Sequence, residues 1–359
     1  MSILDYAKKY GHMTYKEHSF DEIDNLILSN VIYCNYKKGF AKLNNPSSTT
    51  LEKLLFSSID DLDLRKETCG LLLGKNPLRL AKRIYGTKRY GHIIVSDFVQ
   101  KQNPEISQQF AAICYHISPK TIYLCFRGTD DTLHGWMENL NLITEQPIPS
   151  EIEAQHYIDQ MMNKYPHQKF IIGGHSKCGN LAVYGATYCD DKYKSRIKRV
   201  YSIDGNGFFP HTFDDQRFKQ IEKKAFLMAP THCLVGRLLY QPVKQKIIIK
   251  TKKTGLLCHD VHNWIIENDG LVTTKFFSRR SHDACTEINR FTTNLPKEKR
   301  LSFCQDFGHA INESHVETLM SFLKNPSLGI ILSWKLSLSN QLLILKFIRI
   351  LLINKFGLN

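Results

Sequence analysis

The segment Ile171-Ile172-Gly173-Gly174-His175-Ser176-Lys177-Cys178-Gly179-Asn180-Leu181-Ala182 constrains this chain more than any other. An apolar, β-branched run leads into Gly-x-Ser and then into small, helix-compatible residues. That order lifts a serine onto a sharp strand-to-helix turn, with its hydroxyl exposed as a nucleophile. Small residues normally flank such a serine on both sides, as Gly-x-Ser-x-Gly. Here Gly174 holds the first place, Cys178 the second, and Gly179 follows one position late.

A second segment supplies what acyl transfer needs. Thr121-Ile122-Tyr123-Leu124-Cys125-Phe126 reads as a buried strand and ends in Arg127-Gly128-Thr129-Asp130. A developing oxyanion requires two backbone N–H donors, one from the residue after the nucleophile and one from a loop after an earlier strand. Lys177 fits the first role and Thr129 the second. Trp136, Glu138 and Asn139 follow. Further on come Asp204-Gly205-Asn206-Gly207-Phe208, then His259-Asp260 with Trp264.

Together these blocks resemble the class 3 (fungal-type) lipase branch of the α/β-hydrolases, and more closely a bacterial family of Mbeg-like α/β-hydrolase domains. That family carries FRGTD followed by Trp-x-Glu, then GHSKGGNLA, then a DGPGF block, then a His-Asp pair shortly before a Trp. The match runs in order and spacing over roughly residues 1–270, with Cys178 where the family has glycine and Asn206 where it has proline. The resemblance implies an α/β-hydrolase fold, a mostly parallel sheet with helices on both faces, more firmly than it implies a reaction.

A serine hydroxyl becomes a good nucleophile only when a histidine takes its proton and an acid orients that histidine. In this fold the chain order is Ser, acid, His. His259 follows the last expected strand and occupies the family's His-Asp position, with His262 its nearest rival. The loop after strand Ala225–Met228, where a lipase-like enzyme normally carries the acid, reads Ala229-Pro230-Thr231-His232-Cys233 and holds no carboxylate. Asp204, at the end of the preceding strand, is the best substitute. It reads equally as a structural Asp-Gly turn. Asp260 adjoins the histidine in sequence, which makes ring-to-carboxylate geometry less natural. His175 is expected to pack beside the elbow, and Arg127 and Asp130 to pin the oxyanion loop. His232-Cys233 and Cys258-His259 lack zinc-ligand spacing, so neither metal nor cofactor is expected.

Antiparallel strands are expected over His92–Val99 and Phe110–Ile117. From about residue 150 onward, strands alternate with helices, the pattern of a parallel sheet: a helix through Ile152, Tyr157, Ile158, Met161 and Met162, strand Phe170–Ile172, helix Asn180–Tyr188, and strands Val200–Ile203, Ala225–Met228 and Lys246–Lys250. Asp21–Leu28 reads as a helix with an acidic first turn. Residues 1–280 are assigned to the hydrolase domain and 281–359 to a helical extension, with helices expected over 298–312 and 314–324.

Ten cysteines scattered singly indicate reduced, mostly buried thiols. The first residues lack the apolar core of a secretory signal, so the reading is cytoplasmic. The formal charge of +14 raises nucleic acid and anionic membrane as partners. No nucleic-acid-binding signature accompanies the basic clusters, and nucleic acid is set aside. The segment around Leu342–Ile353 is apolar with only cations, Lys335, Lys346, Arg349 and Lys355. These break every window of about 20 apolar residues that a spanning helix needs, leaving a core or dimer-contact helix, or peripheral contact with an anionic membrane. The expected activity is that of a serine esterase on a small-molecule or lipid-like acyl ester. The alternative is a catalytically inactive hydrolase scaffold binding a lipid or protein partner, which a His259 without a nearby carboxylate would favour.

Overall fold

In β4 (Thr121–Phe126), Tyr123 and Cys125 enter one buried cluster, while Ile122, Leu124 and Phe126 enter a second on the opposite face. Side chains alternate across a strand, so a continuous apolar run marks a strand covered on both sides. The computed structural model describes residues 1–60, 69, 73–129, 133–144, 146–313 and 337–343.

The strands β1 (Ser48–Thr50), β2 (Ile94–Asn103), β3 (Gln108–Ser118), β4, β5 (Lys169–His175), β6 (Ile197–Ile203), β7 (Ala225–Pro230) and β8 (Gln245–Ile249) lie side by side in chain order. β1 to β4 pair antiparallel and β4 to β8 parallel. A two-residue hairpin of β9 (Ile266–Glu267) and β10 (Gly270–Leu271) precedes β11 (Thr273–Thr274), which closes the sheet edge antiparallel to β8.

One face is covered by α1 (Ile3–Tyr10), α2 (Glu22–Val31), α3 (Tyr36–Lys42), α4 (Leu51–Ser58) and α5 (Asn76–Ile84), whose apolar residues share a cluster with Tyr115, Tyr123, Ile171 and Ile203. Asp21 caps α2 and Asp24 returns the bond to the cap N–H, a reciprocal arrangement that satisfies two otherwise orphaned donors. Asp24 also pairs with Arg89, both fully buried, at 2.5 Å, and accepts from Tyr90 Oη at 2.7 Å. Burial, opposed by the Arg89 bond, leaves the Asp24 carboxyl raised to about 6.

After α6 (Leu133–Asn141), the other face is covered by α7 (Pro149–Lys164) and α8 (Lys177–Tyr188). Residues 177–187 of α8 are all buried, as expected of a helix held between sheet and neighbouring helix rather than at the surface. The helical turns α9 (Asp191–Lys194) and α10 (Asp215–Phe218) follow in the connections. In α7, Tyr157, Ile158, Met161 and Met162 face the core as expected, whereas Ile152 is 38% exposed.

Two long helices follow, α11 (Arg279–Thr293) and α12 (Lys297–Glu313). α12 matches the helix expected over 298–312. The helix expected over 314–324, and the apolar segment beyond 343, lie outside the described residues. α11 had no strong sequence signal, because its buried stripe (Ser281, Ala284, Cys285, Ile288, Thr292) has helical spacing but only three apolar members. Its Ser281 Oγ donates to Cys233 O, and Asn289 Nδ2 donates to Arg237 O at 2.9 Å. α11 thus braces the loop that follows β7. No helix among the described residues is long and apolar enough to cross a membrane.

Candidate active site

β5 ends at the bend foreseen from its sequence. Ser176 has φ 64° and ψ −137°, a backbone region that a residue with a Cβ enters at a strain of about 1–3 kcal/mol. Its N–H donates to Ile203 O at 2.9 Å, and its carbonyl accepts from Gly179 N–H at 2.8 Å. Strand and helix therefore grip the bend from both sides. The side chain is half-buried.

The displaced glycine has a spatial reason. A Cβ on Gly179 would stand 2.8 Å from Gly205 Cα, in the turn after β6, so that position tolerates no side chain. A Cβ on Gly174 would meet the Cβ of Cys178 at 2.6 Å. Cys178 thus fills the room that Gly174 leaves open. Its thiol is fully buried and pushed up to about 12 by that burial, so it is an inert packing group.

The expected oxyanion loop runs beside the elbow. Phe126 of β4 lies opposite Gly174 of β5, so Gly128 and Thr129 continue past the strand end alongside His175 and Ser176. A Cβ on Gly128 would come within 2.8 Å of His175 O and 2.0 Å of Tyr33 Oη, which explains glycine in the Arg-Gly-Thr motif. Thr129 Oγ1 donates to Asn139 Oδ1 at 3.1 Å, tying the loop to α6. Arg127 Nη1 donates to Gln100 Oε1 at 3.4 Å. Asp130, expected to pin this loop, lies outside the described residues.

Lys177 opens α8, so its backbone N–H is one of the first-turn donors without an intrahelical acceptor, at the positive end of the helix. Its side chain turns inward. Nζ pairs with Glu138 of α6 and donates to Gln109 O at 2.8 Å, with both charged side chains fully buried. Glu138 also accepts from Gln109 N–H at 3.1 Å and Ser150 N–H at 3.2 Å. The two sequence blocks are thereby joined by a desolvated ion pair.

His259 Nδ1 lies 2.7 Å from Asp204 Oδ2, both side chains buried. Nδ1–H donates to the carboxylate, so in the neutral ring the free lone pair is on Nε2. Asp204 has φ 45° at the end of β6, and its other oxygen, Oδ1, accepts from Gly236 N–H at 2.9 Å and from Cys233 Sγ–H at 2.8 Å. Burial would raise the Asp204 carboxyl, but the bonds from His259 and Cys233 outweigh it and hold it below its usual value. The loop after β7, which lacks a carboxylate of its own, therefore supplies two donors to the carboxylate one strand away.

His175 lies next to the elbow, as expected. Its Nε2–H donates to His259 O at 2.9 Å, and the two rings are 4.4 Å apart. This brings the His259 ring beside the serine's own neighbour. Burial, then the His259 ring, depress His175 to about 3, so it is a neutral spacer. Tyr33 Oη approaches His175 O at 3.3 Å from below. The rivals point elsewhere: His262 Nε2 contacts Asn30 Oδ1 at 3.2 Å, and Asp260 accepts from Asn76 Nδ2 at 2.5 Å and His262 N–H at 3.0 Å.

Ser176, Lys177 and Asp204 stand at the C-terminal ends of β5 and β6, and Thr129 just past the end of β4. His259, from a turn after β8, reaches Asp204 and His175, at the end of the sheet where open α/β folds present their sites. Sequence reasoning missed the Cys233 thiol, Gly236, and the inward turn of Lys177. Of these, only a lysine placed in the first turn of an otherwise apolar helix carries a readable signal, since a buried cation demands a partner.

The parallel run β4–β8, helices on both faces and a strained serine bend after β5 define an α/β-hydrolase fold. The family described as Mbeg1-like matches residues 84–307, and the chain belongs to it. The comparison with curated proteins gave no match. Similar solved structures include Lip2 lipase from Yarrowia lipolytica, at 11% identity and TM-score 0.37 over 79% of this chain and 93% of that one. Lipase II from Rhizopus niveus is similar at 13% identity and TM-score 0.36, over 77% and 88%. A mutant form of MDLA from Penicillium cyclopium is similar at 11% identity and TM-score 0.38, over 70% and 85%.

Proposed function

We propose that this chain is a cytoplasmic serine hydrolase that cleaves an acyl ester of lipid-like character. In this reading Ser176 Oγ attacks the ester carbonyl while His259 Nε2 takes its proton, and Asp204 steadies the imidazolium that forms. The backbone N–H groups of Thr129 and Lys177 stabilise the tetrahedral oxyanion. The C–O bond to the alcohol then breaks, and His259 returns its proton to the leaving oxygen. A water activated by the same histidine finishes the cycle by releasing the acid. Residues 1–280 form the hydrolase domain in this proposal and 281–359 its helical extension.

The observation that carries this reading is the 2.7 Å contact between Asp204 and His259, whose ring lies 4.4 Å from that of His175, the residue preceding a serine on a strained bend. A histidine lacking a carboxylate would have favoured an inactive scaffold, and the contact speaks against that alternative. Labelling with a fluorophosphonate probe tests it. Wild-type protein is expected to label and Ser176→Ala to remain unlabelled. Wild-type protein that resists the probe where a known esterase reacts would overturn the assignment.

A further inference from the structure

The loop leading into His259 is built as a rigid platform, yet it shows its apolar side chains to solvent. Leu256 and Leu257 are 58% and 63% exposed. Their backbone is held firmly: Cys258 Sγ–H donates to Gly255 O at 2.9 Å, Asn263 Nδ2 to Leu257 O at 2.8 Å, and Trp264 Nε1 to Cys258 O at 2.9 Å. Gly255, at φ +63°, makes the turn that presents them.

A second exposed segment adjoins it. Phe276 is 78% exposed. His232 links the two segments, since its carbonyl lies 3.3 Å from Cys258 Sγ and its Nδ1 lies 3.0 Å from Ser278 Oγ. Lys250 N–H also donates to Val272 O at 2.8 Å. Single exposed apolar side chains need no explanation, but three large ones on adjoining loops do.

The charges within these two segments have one sign. Lys250, Lys252 and Lys253 precede the leucines, and Lys275, Arg279 and Arg280 flank the phenylalanine, all exposed. Residues 250–258 and 275–282 contain no aspartate or glutamate. Asp283 comes next and lies 3.9 Å from Arg279.

We infer that this face docks on an anionic lipid bilayer. The leucines and Phe276 would enter the headgroup boundary and the cations would meet lipid phosphates, a pairing of apolar insertion with basic attraction. An acidic protein would equally meet the cations. The apolar residues, however, stand proud on a held loop instead of lining a groove, which suits a fluid surface. The inference deepens the ester-hydrolase reading and rests on it for its purpose, because this loop ends at His259 and docking would bring the site to its substrate's phase.

Flotation of the full-length protein with vesicles tests it, comparing pure phosphatidylcholine with phosphatidylcholine containing phosphatidylglycerol. Wild-type protein is expected to float with the anionic vesicles and to be released as salt rises. Leu256→Ser with Leu257→Ser, and separately Lys252→Glu with Lys253→Glu, are each expected to reduce vesicle binding by on the order of tenfold, with unchanged thermal unfolding. Equal retention on neutral vesicles, or variants that float like wild type, would overturn the inference. Displacement from vesicles by an oligonucleotide would reassign the face to nucleic acid and overturn it as well. Fluorophosphonate labelling of the same samples separates the two claims. Labelled protein that ignores vesicles defeats the docking face alone. Unlabelled protein whose flotation is lost in both variants supports the face and defeats only the hydrolase reading.

Discussion

Lys177, the residue after the serine, forms an ion pair with Glu138 of α6 in which both side chains are fully buried. The partnership ties the first turn of the helix after Ser176 to the helix following the Arg-Gly-Thr loop. Breaking one side of a buried pair leaves an uncompensated charge and typically costs about 3–5 kcal/mol, whereas replacing both partners with apolar groups is far milder. Lys177→Met or Glu138→Leu alone is therefore expected to destabilise by that amount in urea unfolding, and the double variant to recover most of it. Additive losses in the double variant would show that the two residues act independently.

Asp204 carries a prediction of function. Replacing it with Asn keeps the shape but removes the negative charge that fixes the His259 tautomer. Loss of this kind lowers turnover by on the order of 10^4 in enzymes of the triad type. Asp204→Asn is expected to label with fluorophosphonate far more slowly than wild type, while Asp260→Asn labels normally. Equal effects from both would remove Asp204 from the site.

In the proposed hydrolase, Cys233 acts through Asp204 as a positioning residue. Its thiol donates to Oδ1 at 2.8 Å, beside the Gly236 N–H. Cys233→Ala removes one donor and is expected to raise the pKa of the labelling profile's acidic limb, since the carboxylate loses a bond that favours its charged form. Cys233→Ser restores a donor and is expected to restore the profile. A structural role alone would shift stability in both variants and leave the profile unmoved.

Glu151, in α7, is fully buried, and its burial raises the carboxyl to about 8 against opposing bonds from Ile148 N–H and Asn180. In the unfolded chain it ionises near its ordinary value of 4.5. Between those two pH values the folded state holds more protons than the unfolded state, so stability falls as pH rises through the window. One such group contributes a slope of up to about 1.4 kcal/mol per pH unit. Glu151→Gln is expected to flatten the curve of unfolding free energy between pH 5 and 8 by about that slope. An unchanged curve would show that the carboxyl is ionised in the fold.

Contiguous residues were sufficient for the serine bend and the buried strands, because turn sterics and side-chain alternation act over a few residues. Gly174-His175-Ser176 can hardly be read as anything but a tight exit from a strand, and Thr121–Phe126 has no polar side to show to water. The family blocks were legible for the same reason. Which carboxylate meets His259 was a different matter. Asp204 read equally well as a turn residue, and its choice over Asp260 depended on β6 lying beside β5 and on the β7 loop lending Cys233 and Gly236. The Lys177–Glu138 pair likewise arose only when α6 and α8 were packed on one face. Contacts between residues far apart in the chain depend on sheet order and loop path, and no local pattern of residue types records them.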